Sequence, residues 1–308
     1  MVKSKKPFTA ERAKLILPKV KNKIRKTALM LRLKFEMKKL QKKEKDKRKK
    51  TRAKTGEAPQ MPKTIESMRV PDETIVTSDN EEVKKDEEID EFSKYFNEDS
   101  PPKVLLTTCK RPSEKLESFT QEIQTVIPNS EYYTRRNYTI QEIVKYSTNK
   151  DYTDVLIFSQ RNKKPDSLVF IHLPEGPTAH FRVTSVKQRK ELYWRGNPTK
   201  YYPELILKNF DTRLGQRLGR MFTAIFPQNP EFRGRNVVTF KNQRDFIFFR
   251  RHRYMFKEEG SNVRLQEVGP RFTLKLLSLQ EGAFEGDSAQ YEFMYHPKMQ
   301  VNRKKFYI

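Results

Sequence analysis

The chain has one cysteine, Cys109, in 308 residues. A lone thiol excludes an internal disulfide framework and fits a reducing compartment. Its four histidines, His172, His180, His252 and His296, show no HExxH spacing and have no partner cysteine. A structural zinc cage of the usual spacing is therefore excluded, and neither metal nor cofactor is expected. No run approaches the ~20 apolar residues of a membrane span, and the start MVKSKKPFTAERAK has no apolar signal core, so no membrane contact is expected. P-loop and GxGxxG patterns are absent, and the carboxylates of the folded part do not cluster as metal-ion phosphodiester chemistry requires. The expectation is a chain without catalytic residues.

What the chain has in excess is segregated charge. Lys and Arg number 64 against 39 Asp and Glu. Residues 1–54 carry a net +19, residues 66–99 a net −9, and residues 100–308 a net +15. Such blocks point to a polyanionic partner and an acidic spacer rather than to a typical metabolic enzyme.

The last two hundred residues are written twice. VLLTTCKRPSEKLESFTQEIQTVIPN from Val104 is answered by ELILKNFDTRLGQRLGRMFTAIFPQN from Glu204. DVLIF from Asp154 pairs with DFIFF from Asp245, and Gly176-Pro177 with Gly269-Pro270. The landmarks keep their order, which predicts two pseudo-symmetric α/β halves. The expected organisation is a basic arm over 1–60, helical or disordered, then an acidic linker over 61–100. An N-terminal half over 101–203, a C-terminal half over 204–290 and a basic tail over 291–308 follow.

Within the arm, Ile24, Ala28, Leu31 and Phe35 form a helical apolar stripe. The run Lys42, Lys43, Lys45, Lys47, Arg48, Lys49 and Lys50 suits nuclear import or a nucleic-acid patch. The linker has too little apolar content for a core of its own. In the first half, Ser113 is the expected N-cap of a helix burying Leu116, Phe119, Ile123, Val126 and Ile127. Thr139 and Glu142 read as a capping box, and Lys164 to Ser167 as a turn between strands. In the second half, a helix buries Leu214, Leu218, Met221, Phe222 and Ile225 and presents Arg213, Arg217 and Arg220 on another side. The first half's helix shows Glu114, Glu117 and Glu122 instead.

That polarity makes the second half the candidate RNA-binding region. Its residues are Arg213, Arg217 and Arg220 on the helix, then Arg233, Arg235, Lys241 and Arg244, then Arg250, Arg251 and Arg253 on a strand. Basic side chains interleaved with aromatics suit RNA, because guanidinium groups and rings both stack on bases. Phe246 to Phe249 are better read as core beneath a charged edge. Gly215 and Gly219 serve either close packing or close approach of an RNA backbone. In GPRFTLKL, Arg271 and Lys275 point away from the apolar face, and the repeat equates Lys275 with Arg182.

The segments LLTTCKRP, VIPN, YYTRR, LPEGPTAHF, LILKNFDTRLGQRLGRMF, NQRDFIFFRRHRY and QEVGPRFTLKL together resemble the Brix domain over about Pro101 to Gln280. The flanks MPKTIE, DETIV, DEFSKYFN and RKKFYI resemble its large-subunit branch. The resemblance implies two halves akin to the anticodon-binding fold of some tRNA synthetases. It also implies a non-enzymatic nucleolar factor of 60S precursor assembly and pre-rRNA maturation, acting in the nucleus. Implied partners are the large-subunit rRNA precursor, ribosomal proteins and pre-60S factors, among them one of the maintenance-of-killer type. An RNA-processing enzyme and a protein adaptor without RNA contact are the alternative readings.

Overall fold

The computed structural model describes residues 20–55, 63–64, 67–70, 73–76, 81–97, 101–257, 262–284, 289–302 and 304–308. They fall into two units, 1–63 and 64–308. Among the described residues the smaller unit is one helix, α1 (Lys23–Thr55). Asn22 opens it, its Oδ1 accepting from Arg25 N at 3.1 Å. At 1.5 Å per residue such a helix is about 50 Å long. Its apolar stripe faces solvent within this unit: Ile24, Leu31 and Phe35 are 82%, 62% and 67% exposed. The rest of the arm, 1–19 and 56–60, lies outside the described residues.

In the larger unit, the acidic stretch forms α2 (Glu81–Ile89) and the single turn α3 (Ser93–Phe96). The first half runs β1 (Val104–Thr108), α4 (Glu114–Gln124), β2 (Ser130–Tyr132), α5 (Ile140–Thr148), β3 (Asp154–Arg161), β4 (Lys164–His172) and β5 (Thr178–Lys187). The second runs β6 (Glu204–Lys208), α6 (Arg213–Ala224), β7 (Asn236–Gln243), β8 (Phe246–Phe256), β9 (Val263–Glu267) and β10 (Arg271–Gln280), followed by β11 (Tyr291–Met294). The described strands share one mixed sheet, ordered β2-β1-β3-β4-β5-β10-β8-β7-β6, with β9 on β8 and β11 on β10. β1 pairs in parallel with β3 across α4, β2 and α5, and β6 with β7 across α6; β5 and β10 join the halves in antiparallel register.

Local signals explain the helices. Ser113 accepts from Leu116 N, Thr212 accepts from Gly215 N, and Thr139 with Glu142 closes a capping box. Helices α4 and α6 bury their apolar faces on one side of the sheet. Phe119, Leu218 and Phe222 meet Phe158, Phe240 and Phe249 there. Helix α5 covers the other side of the first half, over Leu105, Ile157 and Ile171.

Two expectations about the repeat are corrected. The first hairpin turns at Asn162 and Lys163, both at positive φ, and Lys164 to Ser167 already belong to β4. Pro165 is tolerated because it sits where the β3–β4 register shifts. The second-half equivalent is Arg244-Asp245, also both at positive φ. Hence DFIFF opens β8, the counterpart of β4, and β7 is the counterpart of the DVLIF strand. Helix α5 lengthens the first half and the β8–β9 hairpin lengthens the second. The two Gly-Pro pairs do correspond, each with glycine at positive φ before β5 or β10.

The C-terminal segment is built into the fold. Phe306 and Ile308 are buried, Asn242 Nδ2 donates to Ile308 O at 2.5 Å, and Asp245 Oδ1 accepts from Tyr307 N and Ile308 N at 2.7 and 3.0 Å.

Candidate nucleic-acid interface

The arginine stripe of α6 is already engaged by carboxylates. Arg220 makes a two-pronged ion pair with Asp90 and lies 4.3 Å from the Phe96 ring centroid. Arg217 binds Glu91 at 3.2 Å and Glu292 at 2.7 Å, and Arg213 reaches Glu82 at 3.3 Å. Burial acts to raise the Glu91 carboxyl, yet a backbone hydrogen bond and Arg217 hold it below its ordinary value. The acidic stretch is thus no spacer. Phe92 and Tyr95 anchor it in the core, against the ring of His172, whose Nδ1 meets the buried Asp154 at 2.7 Å. Gly215 and Gly219 also have structural work: a Cβ on Gly215 would meet the Phe210 backbone at 3.1 Å, and one on Gly219 the Leu207 side chain at 3.2 Å. Glu122 is likewise engaged, accepting from Arg189 N.

Arg251 is interior. It is 1% exposed and donates to Asn236 Oδ1, Thr125 Oγ1 and Thr199 O at 3.2, 3.2 and 3.4 Å. Burial pushes its guanidinium down to about 10. This places it out of reach of any RNA, contrary to its reading as a binding residue. Arg253 lies on the same side of β8, partly buried. Arg233 and Arg235 are exposed before β7 and Arg244 is exposed after it, so the strand's length separates them.

The remaining cations converge on the sheet side away from α4 and α6. Register sets them out as a grid with strands about 4.8 Å apart. Lys208 lies opposite Lys241, Lys241 opposite Phe248, and Phe248 opposite Thr273. In the neighbouring rows Arg271 lies opposite Lys187 and Lys275 opposite Arg182. Lys275 Nζ sits 3.8 and 5.3 Å from the ring centroids of Tyr295 and Phe246, and Arg250 lies 5.8 Å from that of Phe248. Arg271 is paired with Glu267, whereas Arg182, Lys187, Lys208, Lys241 and Lys275 make no ion pair among the described residues. Burial and Arg271 lower the Arg250 guanidinium, and burial lowers His180 and His252, keeping both neutral near pH 7.

Lys187 and Lys208 were missed by sequence reasoning, as was the partial exposure of Phe246 and Phe248. Only Ile247 and Phe249 of that run are core. The alternation was hidden because both faces carry aromatics. The arm's seven basic residues, Lys42 to Lys50, are exposed on α1. Among the described residues no group of three or more His, Cys, Asp or Glu is placed to hold a metal ion, and no helix is long and apolar enough to cross a membrane.

Two α/β halves that share one sheet, with α4 and α6 on one side and, on the other, α5 over the first half beside a cationic, aromatic surface, define the class of molecule. The chain belongs to the Brix domain family, whose profile matches residues 109–278. It is 46% identical to ribosome production factor 1 of Pongo abelii over 297 residues, 95% of this chain and 85% of that one. It is 49% identical to ribosome production factor 1 of Xenopus laevis over 250 residues, 80% and 73% of the two chains. Among solved structures, a probable ribosomal biogenesis protein from Aeropyrum pernix K1 is similar with a TM-score of 0.43 and 17% identity, over 56% of this chain and 96% of that one.

Proposed function

We propose that this chain is a non-enzymatic assembly factor of the large ribosomal subunit that binds precursor rRNA through the open sheet face, with the basic arm adding affinity. Arg182, Lys241, Lys275 and Arg250 contact phosphates, and Phe246 and Phe248 offer rings to bases. The observation that carries the reading is the row of cations without carboxylate partners, set among aromatics on the sheet face opposite α4 and α6, which α5 covers only over the first half. The names of the relatives support ribosome production as the setting. The family resemblance supports a nucleolar site of action on the pre-60S particle, beside ribosomal proteins and a maintenance-of-killer-type partner.

The test is binding of the full chain to a structured precursor-rRNA fragment across a salt series. Changing Arg182, Lys241 and Lys275 together to Gln should weaken binding at least tenfold and reduce the slope of log affinity against log salt by about 0.7–0.9 per lost phosphate contact. Unchanged affinity and slope would overturn the reading.

A further inference from the structure

A second surface lies in the first half, on the α5 side. Between β2, the segment 132–138 and α5 is an open cleft of about 580 Å³, lined among others by Tyr133, Arg135, Tyr138, Tyr146 and Lys150. Its segment is fixed at both ends. Tyr133 N donates to Leu106 O at 3.0 Å and Thr107 Oγ1 donates to Tyr133 O at 2.8 Å. At the other end Thr139 N donates to Glu142 Oε2 at 2.7 Å, which ties Tyr138 to the start of α5. The cleft is therefore formed before any ligand arrives.

Three aromatic rings stand in it half in solvent: Tyr133, Tyr138 and Tyr146 are 49%, 47% and 56% exposed. Tyr138 and Tyr146 meet edge to face at 5.7 Å. Beside them Arg135 is partly buried, donates from Nε to Tyr138 O at 2.9 Å, and has no carboxylate partner among the described residues. Burial lowers its guanidinium. Lys150 lies 5.8 Å from the Tyr133 ring centroid and is exposed, as is Arg136. Glu131 stands at the rim of the cleft, where the hydroxyls of Tyr133 and Tyr152 donate to it at 3.0 and 2.5 Å and, with Lys103 and Lys150, hold its carboxyl below the ordinary value; it makes no ion pair with Arg135 among the described residues.

Rings with open faces and a partly desolvated cation want a flat apolar ligand carrying negative charge. A peptide of Asp and Glu supplies the charge but no aromatic face. An unpaired nucleotide supplies both, with its base on the rings and its phosphate at the guanidinium. We infer that this cleft binds one unstacked nucleotide of single-stranded RNA, the base against Tyr138 and Tyr146 and the phosphate at Arg135 with Lys150. The inference stands on the cleft alone and is independent of the open sheet face.

The probe is an eight-nucleotide single-stranded RNA with 2-aminopurine at its centre, titrated into the full chain. Binding should quench the fluorophore as it leaves solvent for a ring. Tyr138→Ala with Tyr146→Ala should abolish the quench and weaken binding about tenfold, at the lower end of what one stacked base contributes. Arg135→Gln should weaken binding to a similar degree. Tyr146→Phe keeps the ring and should keep the quench, which guards against loss through misfolding; circular dichroism of each variant checks the same point. Lys208→Gln with Lys241→Gln, on the open sheet face, should leave the quench intact, so failure of either surface is read separately. Quench and affinity unchanged in the folded double tyrosine variant would overturn the inference. So would an acidic octapeptide that binds the cleft when the oligonucleotide does not.

Discussion

Arg182 and Lys275 face each other across the β5–β10 pair, one from each half, at positions that the internal repeat also equates. Each is thus both the register partner and the repeat partner of the other, and the pseudo-twofold axis of the sheet runs between them. Directly opposed residues of an antiparallel pair share a face, and like charges there are destabilising. Lys275 is sheltered by the Tyr295 and Phe246 rings, while Arg182 is exposed.

That juxtaposition predicts a divergence between stability and binding. Arg182→Gln should raise stability by a few tenths of a kcal/mol, since it relieves a cross-strand repulsion, and should weaken RNA binding. Urea denaturation and an RNA titration on the same variant check both signs. A variant that loses stability and keeps its affinity would place Arg182 outside the interface.

The α6 arginines should behave in the opposite way. Arg220→Gln strips Asp90 of its partly buried partner and removes the contact with Phe96. The expected cost is about 2 kcal/mol of stability, below the 3–5 of a fully buried pair, with RNA affinity unchanged where the variant stays folded. The acidic stretch should also become accessible: limited proteolysis near Asp90 should accelerate relative to the sheet.

Arg251 bridges the halves by reaching Thr125, the C-cap of α4, where a cation also meets the negative end of the helix. Arg251→Met would leave three acceptors without their donor. A loss of about 3 kcal/mol is expected, measured by chemical denaturation, and Arg251→Lys should restore only part of it because one ammonium cannot span all three oxygens.

Much of this fold was legible. The apolar spacing located the buried faces of α4 and α6, and Ser113 and the Thr139–Glu142 box marked the starts of α4 and α5. The repeat foretold the two halves, although its middle landmarks were mismatched: an Asp followed by apolar residues opens both β3 and β8 while serving unrelated ends, Asp154 holding His172 and Asp245 the C-terminus. The docking of Asp90 and Glu91 on α6 had no local signal, since the partners lie more than 120 residues apart. Phe92 and Tyr95, aromatics amid acids, were the trace that could have shown it. The burial of Arg251 was invisible for a related reason: its acceptors come from three distant segments, and RRHR reads as surface.

Asp245 supplies a pH test. Burial raises its carboxyl above the ordinary value, against the backbone hydrogen bonds from Ile308 and Tyr307. A carboxyl raised in the folded state binds protons there more readily than in the unfolded chain. Its contribution is therefore most favourable below the ordinary value of 3.8 and declines as pH rises through the folded value. Asp245→Asn keeps an oxygen for both amides and should be more stabilising, relative to the parent, at pH 7 than at pH 4. Urea midpoints at the two pH values measure this, and an equal difference at both would contradict it.

The most direct measurement of the central claim is ultraviolet crosslinking of the full chain to a large-subunit precursor-rRNA fragment, with the adducts mapped to peptides. Adducts are expected on Phe246 and Phe248 of β8 and on the β10 and β5 peptides that carry Lys275 and Arg182, with none on the α6 peptide that carries Arg217 and Arg220. Adducts concentrated on α6, with the open sheet face unmarked, would contradict it.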